Sequence, residues 1–172
     1  MNEILEKMKT RRSVRSFKPD AIPNEVLDKI IEAGIFAASG RNKQAPGIVA
    51  VPDKDTRDRI SKVNAEIMGS SNDPFYGAPV ILIVIAPKDV TTYVYDGSRV
   101  MGNLMLAAHS LGVSSCWIHR ARETFERPEW KQWLRDIGVE GDMEGIGHCA
   151  LGYACGDYPD VLPRKEGRVF KI

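Results

Sequence analysis

A run of seven apolar residues, Val80 to Ala86, constrains the fold more than any other part of the chain. The run is too short to span a bilayer, because a membrane helix needs about 20 apolar residues. Its valine and isoleucine content favours a β-strand, and the absence of alternating polar residues predicts that both faces of the strand are buried. The chain must therefore place apolar groups against both sides of a sheet.

The remaining apolar residues recur at helical or strand-like spacing. Helices are predicted for a short N-terminal segment with Ile4, Leu5 and Met8, and for residues 23–38, 53–68, 95–111 and 124–137. Further strands are predicted at 47–51, 114–118 and 146–153. Strict β-α-β alternation is absent and helices precede the main strands, which favours an α+β sandwich over a doubly wound sheet. Residues 1–172 fit one domain.

The net charge of +1 argues against a general nucleic-acid binder, which usually carries a strong basic excess. Three cysteines do not make a secreted disulfide framework, and the N-terminus lacks the apolar region of a signal peptide. The expectation is a reduced, cytoplasmic protein with no membrane or nucleic-acid partner.

The loop after the first helix concentrates basic and hydroxyl side chains, namely Arg11, Arg12, Ser13 and Arg15. Arginine binds phosphate through a rigid two-pronged fork, and a serine hydroxyl fills a remaining position. In an extended loop Arg11, Ser13 and Arg15 share one side. The cluster therefore indicates a phosphate site, although a solvated basic loop explains it equally well when it is considered alone.

A second polar segment follows the next helix and contains Ser39, Asn42 and Gln44. Side-chain amides both donate and accept hydrogen bonds, so they suit the mixed edge of a heteroaromatic ring. A polar helix terminus is the simpler explanation of the segment alone. Together with the arginine cluster and with Arg164 and Lys165 near the C-terminus, it suggests a site for a phosphorylated cofactor.

Two tempting motifs are rejected. Gly145 to Ala150 matches the G-x-G-x-x-A dinucleotide fingerprint, but it runs into a strand-like segment instead of opening a helix. His148 and Cys149 are adjacent in a strand and point to opposite faces, so a shared metal is not expected. The cysteines are predicted to be small core residues.

The ordered motifs resemble the nitroreductase-like flavoprotein family, in its short-chain form. The resemblance spans nearly the whole chain, and it rests on residues 11–17, 25–44, 75–79, 102–108, 111–113, 115–118, 151–153 and 164–165. It implies a three-layer α/β/α sandwich with a mostly antiparallel central sheet, and an intertwined homodimer with two FMN sites at its interface.

The resemblance also implies roles for particular residues. Arg11, Arg12, Ser13 and Arg15 would hold the FMN phosphate, ribityl chain and ring edge, and Arg164 and Lys165 would close on the phosphate. Ser39, Asn42 and Gln44 would approach the ring, some from the partner subunit. Backbone groups near Cys116, Trp117 and Ile118 would lie by the flavin face and N5.

The implied reaction is ping-pong hydride transfer from NADH or NADPH, through flavin N5, to a nitroaromatic, quinone-like or other small electron acceptor. The flavin carries this chemistry, so no catalytic side chain is required, and Arg11 or Arg15 would tune its charge. The sequence departs from the family at Ala45-Pro46-Gly47, which leaves a smaller pocket wall. Without the roofing insertion of larger members, residues 63–78 are expected to form the whole lid.

Two other functions remain open at this stage. The altered wall and the missing insertion also fit a non-catalytic module that binds or sequesters flavin. The basic loop also fits a small regulator that binds an anion or a nucleotide without flavin.

Overall fold

The structure is a computed structural model, and it describes residues 2–172. Six helices and four strands follow one another along the chain. The helices are α1 (Glu3–Thr10), α2 (Asn24–Ile35), α3 (Lys54–Met68), α4 (Tyr93–Ser110), α5 (Ala121–Glu126) and α6 (Pro128–Asp136). The strands are β1 (Gly47–Val51), β2 (Val80–Pro87), β3 (Ser114–Ile118) and β4 (Met143–Gly152). A single 3-10 turn, Gly40–Asn42, lies between α2 and β1.

The four strands form one sheet in the order β1-β2-β4-β3, and every neighbouring pair is antiparallel. The two central strands, β2 and β4, carry the longest apolar runs. Every residue of β2 except Pro87 is buried, because apolar layers cover both faces of the strand. The prediction of a strand buried on both faces is confirmed.

Helices cover both sides of the sheet and give the molecule three layers. Side chains of α2 and α4, such as Ile30 and Leu104, pack on the face that carries Leu82 and Val84. Side chains of α3, α5 and α6 pack on the opposite face, which carries Ile81, Ile83 and Ile85. The predicted α/β/α sandwich with an antiparallel sheet is confirmed.

Three predicted boundaries are wrong. The helix expected over 124–137 is two helices, because Pro128 forces Arg127 into an extended conformation (ψ 136°). The helix expected to reach residue 38 ends at Ile35, and the chain is already extended at Ser39 (ψ 157°). The last strand begins at Met143 instead of residue 146, because it pairs with the end of β2.

The glycines of the rejected dinucleotide motif have a packing role. Gly145 and Gly147 both lie within β4. A side chain on Gly145 would collide with the Ala121 backbone at the start of α5, and one on Gly147 would collide with the Trp117 ring. The glycines therefore allow α5 and β3 to approach the sheet closely, and the motif opens no helix.

His148 and Cys149 face opposite sides of β4, as the strand pattern predicts. The His148 ring is fully buried against Phe75 and Phe125, with ring centroids 5.1 Å and 6.0 Å away. Cys149 packs in the other core layer. Burial lowers the pKa of His148 to about 4, against smaller opposing contributions from backbone groups of Ile118 and His119. The imidazole is therefore neutral in the folded protein at physiological pH.

This buried histidine predicts an acid-dependent loss of stability. Its pKa falls from 6.5 to about 4 on folding, so the unfolded chain binds more protons between these values. The contribution of His148 to the free energy of unfolding is fully present above pH 6.5, and about 3 kcal/mol of it is lost as the pH falls through 4. Urea unfolding at several pH values measures how the free energy of unfolding changes with pH. This dependence should be weaker in His148→Leu and unchanged in His119→Gln, whose side chain is exposed. Equal slopes in wild type and His148→Leu would contradict the assignment.

Among residues 2–172, no helix is long and apolar enough to cross a membrane.

Candidate functional site

The loop of residues 11–18 lies as an extra extended segment between β3 and the chain that leaves β4. On one side the Val14 N–H donates to the Ser115 carbonyl (3.1 Å). On the other side the Cys155 N–H donates to the Ser16 carbonyl (2.9 Å). Backbone hydrogen bonds on both sides therefore fix the direction in which the arginine side chains leave the loop.

Three side chains of this loop influence the Cys116 thiol on β3. Burial raises the pKa of that thiol, while the Arg15 guanidinium, the Ser13 hydroxyl and the Arg11 guanidinium oppose the rise. The raised pKa keeps Cys116 a protonated thiol, which does not favour a role as a nucleophile.

Arg12 points differently and is held by several acceptors. Its Nε donates to the Asp160 carbonyl (3.2 Å), and its Nη1 donates to the Arg11 carbonyl (2.5 Å). Its Nη2 is buried without a hydrogen-bond partner in residues 2–172, and so are Arg11 Nη1 and the Ser115 hydroxyl. Buried charged donors without an acceptor are costly, so this cluster fits an anionic group such as a phosphate.

The second predicted segment, residues 39–44, has an unusual backbone. Arg41, Asn42 and Gln44 all have positive φ, at 52°, 54° and 51°. The Ser39 hydroxyl accepts from the Gln44 N–H (2.9 Å), and Gln44 Nε2 donates to Asn42 Oδ1 (3.1 Å). Left-handed backbone at three non-glycine residues is costly and tends to cluster at functional sites.

A buried carboxylate on α4 holds this segment in place. Asp96 accepts from the Gly40 N–H (2.9 Å) and from the Thr92 hydroxyl (2.7 Å), and it is only 4% exposed. Sequence reasoning missed Asp96, because it stands in the first turn of a helix, where an acidic residue is ordinary. Its role is visible only once the loop is seen to lie against α4.

A cavity of about 370 Å³ opens beside residues 39–44. Its polar lining includes the three predicted ring-binding side chains, and its apolar lining includes exposed hydrophobic groups at the end of α2. The lining comprises Ile35, Phe36, Ala37, Ala38, Ser39, Asn42, Gln44, Pro46, Asp96 and Val100. Such a mixture of apolar walls and a few polar groups is typical of a site for a small organic molecule.

A single chain does not bring all the predicted residues together. None of Arg11, Arg12, Ser13 or Arg15 lines the cavity beside residues 39–44. In β3 the neighbours alternate, so Cys116 and Ile118 face one core layer while Trp117 packs against the other. Arg164 and Lys165 lie on an exposed C-terminal tail and form no hydrogen bond or ion pair with residues 2–172.

The expected lid over residues 63–78 is not a separate element. Residues 63–68 are the end of α3, and the turn that follows is tied down by Asp73, which accepts from the Ser61 hydroxyl (2.6 Å) and pairs with Arg57. Partial burial would raise the Asp73 pKa, but hydrogen bonds from Ser61, Arg57 and the backbone N–H groups of Gly77 and Phe75 hold it below its usual value. The segment is anchored on α3.

Within residues 2–172, no three histidine, cysteine, aspartate or glutamate side chains come together in a group that could hold a metal ion.

The model of the nitroreductase family matches residues 8–72 and 66–153 of the chain. A Methanothermobacter thermautotrophicus protein, provisionally named NADH dehydrogenase/NAD(P)H nitroreductase, is 30% identical over 67% of this chain and 60% of its own length. An Archaeoglobus fulgidus protein of the same name is 28% identical over 89% of this chain and 86% of its own. The crystal structure of a Bacteroides fragilis nitroreductase with bound FMN superposes with a TM-score of 0.91, at 29% identity, over 100% of both chains.

Proposed function

The chain belongs to the nitroreductase family, and from that premise we propose that it is an FMN-dependent oxidoreductase that takes electrons from NADH or NADPH. The observation that carries the proposal is the pair of buried, unpartnered guanidinium nitrogens on Arg11 and Arg12. FMN is bound in the similar Bacteroides fragilis structure. When bound, FMN supplies the redox chemistry, because its N5 accepts hydride from a nicotinamide and the electrons then pass to an acceptor.

We assign the side chains of residues 11–15 to successive parts of FMN, from the phosphate to the ring edge. Arg11 and Arg12 would receive the phosphate, with Arg164 and Lys165 of the tail closing on it. Ser13, which pairs with Ser115 of β3, and Arg15 would face the ribityl chain and ring edge. A cation near the ring stabilises the negative charge that develops on reduction, so of the two candidates Arg11 and Arg15 it is Arg15 that would tune the flavin in this arrangement.

We further propose that the flavin site is shared between two copies of the chain, each a single domain. Ile4, Leu5 and Met8 form one face of α1 and are 63%, 52% and 57% exposed. Phe170 on the tail is 86% exposed. Such apolar exposure is typical of an interface. Residues 11–18, the arginine loop, would form one part of the flavin site. A partner subunit would supply the other part through Ser39, Asn42 and Gln44.

The cavity lining indicates the kind of acceptor. Phe36 and Ile35 offer apolar surface, while Pro46 is a small wall beside Gln44. A planar nitroaromatic or quinone-like molecule fits such a cleft, because it can stack on the flavin and bury its faces. Asp96 is the titratable side chain among the lining residues, and its carboxylate is engaged by the Gly40 N–H and the Thr92 hydroxyl, so we assign it a structural role. The buried His148 lies in the core and is given no role in the reaction.

Steady-state kinetics test the ping-pong proposal. Because donor and acceptor would use the same cavity in turn, double-reciprocal plots at several acceptor concentrations should give parallel lines. Menadione and nitrofurazone are suitable acceptors, and boiled protein with free FMN is the control. Intersecting lines would contradict the shared cavity. Bound FMN that neither NADH nor NADPH reduces would favour the non-catalytic flavin-binding alternative.

A further inference from the structure

The chain that leaves β4 crosses the arginine loop and contacts it through a tyrosine. The Tyr158 hydroxyl accepts from the backbone N–H of Arg12 (2.8 Å). The same ring stacks on the imidazole of His109, which lies near the end of α4, with centroids 5.6 Å apart and planes 17° from parallel. Tyr158 therefore joins the tail, α4 and the arginine loop at one point.

The hydrogen bonds around His109 have only one consistent direction. The Thr10 hydroxyl donates to the Glu6 carbonyl (2.8 Å), so toward His109 its oxygen is the acceptor of Nε2–H (2.9 Å). His109 Nδ1 is then an acceptor, and the Tyr158 hydroxyl donates to it (3.2 Å). The chain runs without a break from the Arg12 N–H through Tyr158, His109 and Thr10 to Glu6.

This chain requires a neutral imidazole, and the surroundings favour one. Partial burial is the main cause that lowers the pKa of His109, and the charges of Lys7, Arg11 and Arg12 lower it further. The neutral ring with hydrogen on Nε2 is therefore the form present at neutral pH. It leaves Nδ1 free to accept from Tyr158.

The tail also fixes the side chain of the same arginine. The Asp160 carbonyl accepts from Arg12 Nε (3.2 Å), two residues after the tyrosine whose hydroxyl holds the Arg12 backbone. With Nη1 on the Arg11 carbonyl, only Nη2 of Arg12 is left buried and unpartnered within residues 2–172. The surrounding contacts therefore engage the Nε and Nη1 nitrogens of Arg12 and leave Nη2 for a ligand.

We propose that Tyr158 and His109 are positioning residues for the phosphate of FMN, acting through Arg12. The inference rests on the proposed function, since it takes the phosphate of FMN as the anion that Arg12 receives. Neither residue would touch the cofactor. Their effect should therefore appear on ligands that carry the phosphate and be absent on those that lack it.

The test compares FMN with riboflavin, which has the same ring and ribityl chain but no phosphate. Tyr158→Phe keeps the stacking on His109 and removes only the hydroxyl. Its dissociation constant for FMN should rise about tenfold, the cost of about one hydrogen bond to a positioned group. Its dissociation constant for riboflavin should stay at the wild-type value. Fluorescence quenching of each flavin gives both constants.

Further variants separate positioning from general structural damage. His109→Phe should weaken FMN binding as much as Tyr158→Phe, and the double variant should lose no more, because both act through one chain. His109→Gln, which keeps a donor and an acceptor, should recover part of the affinity. Tyr153→Phe is the matched control, because its hydroxyl has no partner in residues 2–172 and it lies in the same segment.

Each result supports or overturns the inference. A selective loss of FMN affinity in Tyr158→Phe supports it. Equal losses for FMN and riboflavin, or no loss for either, overturn it and leave the flavin function standing. If the wild-type protein binds FMN no better than riboflavin, the proposed phosphate site itself fails, and the positioning role fails with it.

Discussion

Replacing Arg11 and Arg12 together by alanine is expected to weaken FMN binding about a thousandfold. Each guanidinium has a buried nitrogen without a partner in residues 2–172. A charge-assisted hydrogen bond to a desolvated phosphate contributes about 2 kcal/mol, so two such contacts give about 4 kcal/mol. The two single variants should each lose about thirtyfold. Isothermal titration with FMN measures all three.

The matched control for this prediction is Arg135→Ala. Arg135 is exposed on α6, where its contact is with Gln132 of the same helix, and its removal changes the net charge as much as each single arginine variant does. FMN affinity should be unchanged in the control. Comparable losses in Arg135→Ala and Arg11→Ala would show that overall charge, rather than a phosphate site, sets the affinity. Unchanged affinity in the double variant would contradict the site.

Mixing two damaged chains should restore a tight flavin site. One chain carries Arg11→Ala and Arg12→Ala, and the other carries Asn42→Ala and Gln44→Ala. If each site takes its arginine loop from one subunit and residues 39–44 from the other, a heterodimer contains one intact site and one doubly damaged site. Heterodimers isolated through two different tags should then hold FMN tightly at one site, where each damaged homodimer holds none tightly.

The opposite outcome of this mixing experiment is equally clear. If one chain supplied all the residues of its own site, both subunits of the heterodimer would be damaged. The heterodimer would then bind no better than the homodimers from which it was made. Heterodimers of the arginine variant with the wild-type chain serve as the positive control. Weak binding by the heterodimer of the two damaged chains would contradict the shared site, while leaving the phosphate role of Arg11 and Arg12 intact.

Local patterns were sufficient to predict the layers of the fold. The apolar run of β2 required cover on both faces, and the spacing of Ile30 and Leu104 on their helices identified the residues that provide part of it. Boundaries were harder, because they depend on single residues. Proline is tolerated only in the first turn of a helix, and Pro128 accordingly begins α6 and separates it from α5.

The candidate site was predictable only where residues lie close in sequence. The arginine loop and residues 39–44 each carry their own signal. No local sequence signal identifies the supporting residues Asp96, His109 and Tyr158, because each contacts a segment more than 50 residues away in the chain. The positive φ values at residues 41, 42 and 44 were equally hidden, since none of the three is a glycine.

The central claim, that this chain is an FMN enzyme that oxidises NADH or NADPH, is tested most directly by one absorbance measurement. The purified protein is supplied with FMN, freed of excess flavin, and mixed with NADH or NADPH without oxygen. The protein should retain flavin absorbance that bleaches when a nicotinamide is added and returns when an acceptor follows. A protein that retains no flavin, or whose bound flavin neither nicotinamide bleaches, would contradict it.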